Sequence, residues 1–252
     1  MKHLFLFSCL LASILLSSSS QIVPKVPSSS LVGAWMLETV NGEPISEEGR
    51  QIVRIISDTY TMEASYNLVD KTFEYATGGP YTFDGEKGLF TTDYHSQQSD
   101  LVGTRRAVSI QIEDGQASVS GKGPSGEEFS SSWKQLDQAN TPLSGSWRIS
   151  ERMRDDNMVP MKRGPRKTIK ILSGSRFQWA AMNTETKQFM GTGGGSYTFE
   201  NGQYTETIEF FSRDNSRVGM SLGFQGKVVD DAWHHSGKSS KGNPIKEIWR
   251  QE

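Results

Sequence analysis

Cysteine is all but absent from this chain, and the single one, Cys9, sits in a stretch expected to be removed. Lys2 and His3 precede an apolar run from Leu4 to Leu16, and Ser17 to Ser20 supply small residues for cleavage, which reads as a secretory signal peptide over residues 1–20. Residues 21–30 read as a linker. The mature chain then lacks cysteine altogether, which excludes disulfides, thiol catalysis and cysteine metal sites. None of the asparagines opens an Asn-x-Ser/Thr sequon. These absences together favour an exported bacterial protein, secreted or periplasmic. No later apolar run approaches the roughly 20 residues that a membrane-spanning helix needs. A basic excess is missing too: 27 Lys and Arg stand against 29 Asp and Glu, so nucleic acid is not an expected partner. No Gly-x-Ser-x-Gly motif, convincing carboxylate pair or cofactor motif is found. His234-His235 is the sole histidine pair, and neighbouring strand residues point to opposite faces, so no metal site is expected there.

What the chain does contain is a second copy of itself. Tyr81-Thr82-Phe83 recurs as Tyr197-Thr198-Phe199, Gly78-Gly79 as Gly194-Gly195, Val102-Gly103 as Val218-Gly219, and Ser120-Gly121-Lys122 as Ser236-Gly237-Lys238, all at an offset of 116. Gln51 to Leu136 aligns with Lys167 to Glu252 without a gap, and 22 of these 86 positions are identical. The openings, Gly33-Ala34-Trp35 and Gly145-Ser146-Trp147, match at an offset of 112. Such self-similarity marks a repeated structural unit. Each copy alternates short runs of aromatic and β-branched residues with clusters of Gly, Asn, Asp and Ser, the pattern of an all-β domain. Asn201-Gly202 and Asp84-Gly85 are hairpin-turn dipeptides. No long helical period is present. Many short, evenly spaced strands favour a closed barrel, which has no exposed edges.

The paired Gly-x-Trp openings resemble the signature of lipocalins and related calycin barrels. The second copy resembles the secreted lipocalin-like domains of bacteria through Phe177-Gln178-Trp179, Gly191 to Gly195, Tyr197-Thr198-Phe199 and Ile208-Glu209-Phe210. The resemblance implies two tandem lipocalin-like antiparallel β-barrels, over residues 31–137 and 143–252, joined by a linker at 138–142. It also implies that Trp35 and Trp147 close equivalent barrel ends, with a basic residue of the last strand, Lys134 or Arg250, packed over each.

The two copies disagree at informative positions. Trp179 faces Glu63 in the alignment, Glu206 faces Phe90, Trp233 faces Ala117 and His235 faces Val119. Alternation turns Tyr204, Glu206, Ile208 and Phe210 to one face, expected inward, with Phe177 and Trp179 across the lumen. Met220, Leu222 and Phe224 are expected to add an apolar wall. An inward carboxylate needs a donor, a ligand or water. Aromatic walls with few polar groups describe a small-molecule pocket, so the expected ligand-binding residues are Trp179, Tyr204, Glu206, Trp233 and His235, with Met153 to Lys167 as a lid and a small organic molecule as the partner. Two other readings stand beside this one: an enzyme using Glu206 or His235 as acid and base, and an envelope protein whose barrels are filled. Gly191 to Gly195 reads as a bend between strands rather than a phosphate cradle, because no helix follows it.

Overall fold

The computed structural model describes residues 31–252; the expected signal peptide and linker at 1–30 lie outside the described residues. The chain forms two closed antiparallel barrels in tandem, each of eight strands. The first contains β1 (Gly33–Val40), β3 (Arg50–Ile56), β4 (Tyr60–Asn67), β5 (Thr72–Phe83), β6 (Lys87–Thr91), β8 (Arg105–Glu113), β9 (Gln116–Lys122) and β10 (Glu128–Asp137), with β10 returning to pair with β1. Two short strands hang on its edges, β2 (Glu43–Pro44) on β1 and β7 (Tyr94–His95) on β5. The second contains β11 (Gly145–Arg154), β13 (Arg166–Leu172), β14 (Arg176–Asn183), β15 (Gln188–Glu200), β16 (Gln203–Phe211), β17 (Ser221–Val229), β18 (Ala232–Lys238) and β19 (Pro244–Gln251), closed by β19 on β11, with β12 (Asn157–Pro160) beside β11. Asn201 and Gly202 both have positive φ, as a tight hairpin between β15 and β16 requires.

The two Gly-x-Trp openings do equivalent work. Trp35 and Trp147 are buried, and each indole Nε1 donates to a backbone carbonyl four residues earlier, Leu31 at 2.8 Å and Leu143 at 2.7 Å. Gly33 has φ +142°, and a Cβ there would lie 2.3 Å from the Asp137 carbonyl oxygen, so only glycine lets β1 pass the end of β10. The basic residues do not cover these tryptophans. Lys134 and Arg250 are exposed, because alternation places them opposite their buried neighbours Trp133 and Trp249.

The barrels pack through their outer faces. Val53, Ile55, Met62, Ala64 and Tyr66 of β3 and β4 share one apolar cluster with Ile169, Ile171, Ala180, Met182 and Phe210 of the second barrel. Phe73 stacks on Phe210 at 6.1 Å, and Tyr94 on Phe189 at 6.0 Å. Covered on both sides, β4 is buried at every residue. Its odd positions Thr61, Glu63 and Ser65 face the first lumen, while Met62, Ala64 and Tyr66 face the second barrel. Ion pairs flank this contact: Lys167 to Asp93 at 2.7 Å, and Arg176 to Glu209 at 2.5 Å, with the Tyr66 hydroxyl donating to Glu209 across the gap at 2.8 Å. At the junction the Asp137 carboxylate accepts from Gly174 N, Ser175 N and the hydroxyls of Ser173 and Ser175, clamping β10 onto a turn of the second barrel.

Two local expectations change. Phe210 faces the first barrel instead of its own lumen, because a bulge at Glu209 breaks the alternation: Gly194 pairs with Phe210 but Gly195 pairs with Ile208. The glycine run is not a bend either; Gly191 to Gly195 lies inside β15. A Cβ on Gly194 would meet the Phe210 ring at 2.6 Å, so the missing side chains make room for aromatic rings.

Candidate functional site

The central residue of each lumen was not anticipated from the sequence. Both β3 and β13 read as apolar strands interrupted by one cation, Ile52-Val53-Arg54-Ile55-Ile56 and Thr168-Ile169-Lys170-Ile171-Leu172, and the cations stand at the 116 offset. Each faces a lumen and pairs with a carboxylate there. That coincidence, a cation in the same apolar context twice, was the signal available.

In the second barrel Lys170 pairs with Glu206, which also accepts from the Tyr204 hydroxyl at 2.8 Å. The ammonium lies 5.0–5.3 Å from the ring centres of Phe177, Tyr204 and Trp233. His235 packs on Phe224 at 4.3 Å and on Trp233 at 5.0 Å. Its Nδ1 stands 3.7 Å from Glu247 Oε2, and neither ring nitrogen has a hydrogen-bond partner. Burial, outweighing the attraction of Glu247, holds the imidazole below its ordinary pKa. Burial works in the opposite sense on Glu247, but His235 and the two bonds from Arg152 prevail and keep its carboxyl below the usual range. Burial, then Glu206, raise the Tyr204 phenol well above its ordinary value.

Tyr204, Glu206, Trp233 and His235 therefore converge, but largely on one another. Tyr204 and Trp233 have no exposed surface. A cavity of about 220 Å³ remains beside them, lined by Trp179, Glu206, Ile208, Phe211 and Leu222 among others. Of the five expected residues, Trp179 and Glu206 border it. Met220 lies outside the apolar wall and is exposed, whereas Phe224 is core. The lid segment is a hairpin of β11 and β12, and Met161 beyond it packs on the barrel's core.

The first barrel is open. Its cavity measures about 1060 Å³. Part of the reason lies in two residues that line it and stand where the second barrel has rings: Val108 corresponds to Phe224 and Val119 to His235. Arg54 donates to Glu63 through Nε at 2.9 Å and through Nη2, and the Tyr75 hydroxyl donates to the other Glu63 oxygen at 2.7 Å. The guanidinium lies 4.6 Å over Trp133 and 5.8 Å from Phe90. Thr61 Oγ1, on the same inward face of β4, is buried without a hydrogen-bond partner. His95 stacks on Tyr75 at 5.9 Å, and burial lowers its pKa. Acid and aromatic have traded places between the lobes: Glu63 and Phe90 here, Trp179 and Glu206 there.

Among the described residues no cluster of His, Cys, Asp and Glu is arranged to hold a metal, and no helix is long and apolar enough to cross a membrane. No protein-family model and no curated protein sequence matches the chain. Among solved structures, it is similar to an uncharacterized protein of Saccharomyces cerevisiae, with 15% identity, 86% of this chain and 96% of that one covered, and a TM-score of 0.44. It is similar also to a mutant of the vaccine antigen transferrin binding protein B of Haemophilus parasuis, with 8% identity, 82% of this chain and 61% of that one covered, and a TM-score of 0.22. At such similarities the function is read from this chain's own residues.

Proposed function

We propose that this is a secreted small-molecule-binding protein, exported by residues 1–20, whose ligand occupies the lumen of the first barrel. The carrying observation is the contrast between the cavities, about 1060 Å³ for the first, which extends from the lumen out over the rim of β6, β8 and β9, against about 220 Å³ for the second. Drug-sized ligands occupy cavities of roughly 300–1,000 Å³, mostly apolar, with a few fixed polar groups. The first lumen fits that description: Phe90, Phe129 and Trp133 supply apolar wall, and Arg54, Glu63, Tyr75 and Thr61 supply the polar groups. A filled second barrel serves as a rigid support on which β3 and β4 are held. The acid–base reading has less behind it, since Glu206 is committed to Lys170 and Tyr204 and the cavity it borders does not include His235.

The test is a titration with phenylnaphthylamine, an uncharged probe that fluoresces in apolar surroundings. Val119 lines the first lumen and is buried. Val119→Trp should intrude on it and weaken binding by at least about tenfold, on the order of 1.4 kcal/mol; Val108→Trp, also in the lining, is the second block should the first fail to fold. Trp179→Ala, in the other barrel, should leave affinity unchanged. Loss of binding in Trp179→Ala together with wild-type affinity in a folded Val119→Trp would move the site to the second barrel.

A further inference from the structure

We infer that the occupant of the first lumen is an anionic amphiphile, with its acidic group held at the barrel mouth and an uncharged hydrogen-bonding end held below; this rests on the reading of the first lumen as the ligand site. The charged groups of the lining are nearly all cations. Arg54, Lys87, Arg105, Arg106 and Lys122 all contribute to it, against the single carboxylate of Glu63, in a chain whose net charge is −2. The distribution within the cavity assigns the two ends of the ligand.

At depth the charges are already balanced. Arg54 and Glu63 form an ion pair, and the Tyr75 hydroxyl is spent on Glu63 as well. What remains free is Thr61 Oγ1, buried and unpartnered, and Nη1 of Arg54. A hydroxyl and the N–H groups of Nη1 match a carbonyl, hydroxyl or ether oxygen. A second carboxylate at that depth would stand beside Glu63 and be repelled.

The mouth is different. It lies at the ends of β6 and β9 and the starts of β8 and β10, away from the end closed by Trp35. Arg105 opens β8 and Lys122 ends β9; alternation puts both on the outer faces of their strands, so they reach the cavity from its rim. Arg106 shares the β8 face of Val108 and Ile110, both buried in the first core, and its guanidinium lies 5.9 Å from the Phe129 ring. None of these three cations forms an ion pair among the described residues. The nearby carboxylate of Glu127 accepts from the Ser125 hydroxyl and is fully exposed. Unpaired cations around a low-dielectric opening focus the field into it and favour an anion there. The guanidinium forks of Arg105 and Arg106 suit a carboxylate, sulfonate or phosphate group.

Anilinonaphthalene sulfonate and phenylnaphthylamine share one apolar body and differ by the sulfonate, so the comparison isolates the charge. The sulfonate probe should bind wild type about tenfold or more tightly than the neutral one, the scale of one charge-assisted hydrogen bond. The variant Arg105→Gln, Arg106→Gln, Lys122→Gln changes only exposed residues. It should bring the two affinities within about twofold by weakening the sulfonate probe alone. Equal affinities in wild type, or an unchanged sulfonate affinity in the folded triple variant, would overturn the inference while Val119→Trp still blocks both probes and the lumen site stands. Binding of neither probe to wild type, or undiminished binding to a folded Val119→Trp, removes the lumen site and this inference with it.

Discussion

Replacing Lys170 with Met is the most severe single test of how the second barrel is held. Side-chain exposure is 7% for Lys170 and 9% for Glu206, so both charges are out of water. Without the ammonium, the Glu206 carboxylate keeps only the Tyr204 hydroxyl, at 2.8 Å. Breaking such a buried pair from one side costs about 3–5 kcal/mol, because the remaining charge is uncompensated. For a chain of this size that lowers Tm by roughly 6–20 °C. Glu206→Gln should cost less than Lys170→Met, since the stranded ammonium retains three aromatic faces, each worth about 0.5–2 kcal/mol. The double variant Lys170→Met, Glu206→Leu should recover most of the loss, as apolar replacement of a buried pair is often near neutral. In the open first lumen, where Arg54 is 25% exposed, Arg54→Met should cost less than Lys170→Met. Urea unfolding of the five proteins at pH 7 gives these differences. A cost below about 1 kcal/mol for Lys170→Met, or a greater cost for Glu206→Gln, would show that the pair is not the buried unit described here.

Two further expectations concern the junction and pH. Asp137→Ala strands the amides of Gly174 and Ser175 and should cost about 2–3 kcal/mol, with faster hydrogen exchange confined at first to that turn; unchanged exchange there would argue against the clamp. His235 has its pKa lowered by folding, so the unfolded chain binds the proton more readily. Its contribution is complete above the unfolded value near 6.5 and declines as pH falls through the folded value. His95 acts in the same sense. His235→Phe should flatten the part of the stability–pH curve that begins falling below about pH 6.5, and an identical slope in wild type and variant would exclude His235 as its source.

The fold was legible because duplication and alternation are properties of the chain read twice: the offset marked the two barrels, and the Gly-x-Trp pair marked their closed ends. Alternation also put Tyr204, Glu206, Trp233 and His235 on inward faces correctly. It failed at Phe210, where one extra residue at Glu209 reverses the sides, and a bulge leaves no obvious mark in composition. The site was harder. Aromatic residues signal both a pocket wall and a filled core, and only three-dimensional packing shows that Tyr204, Trp233 and His235 touch each other. The unassuming residues Val108 and Val119, which stand where the second copy has Phe224 and His235, were the better sign of a cavity, because space is made by what is small. Arg54 and Lys170 are hard to read from pattern alone, because one cation in an apolar strand looks the same whether it faces solvent or a buried carboxylate.

The packing between the barrels has a symmetry that the chain order hides. Phe73 and Tyr94 become Phe189 and Phe210 at the offset of 116, so the stacks of Phe73 on Phe210 and of Tyr94 on Phe189 are exchanged by a half-turn. The contacts of β13 with β4 and of β3 with β14 exchange in the same way, as do those of β16 with β5 and of β7 with β15. Each barrel thus presents the same patch to the other, the isologous arrangement of a two-fold homodimer, here made within one chain. Being tethered, the two halves need not stay identical. Arg176 stands where the first copy has Tyr60, and Lys167 where it has Gln51, each serving one side of the seam only. The same freedom extends inward: one barrel can keep its filling while its twin is hollowed out without the pair coming apart.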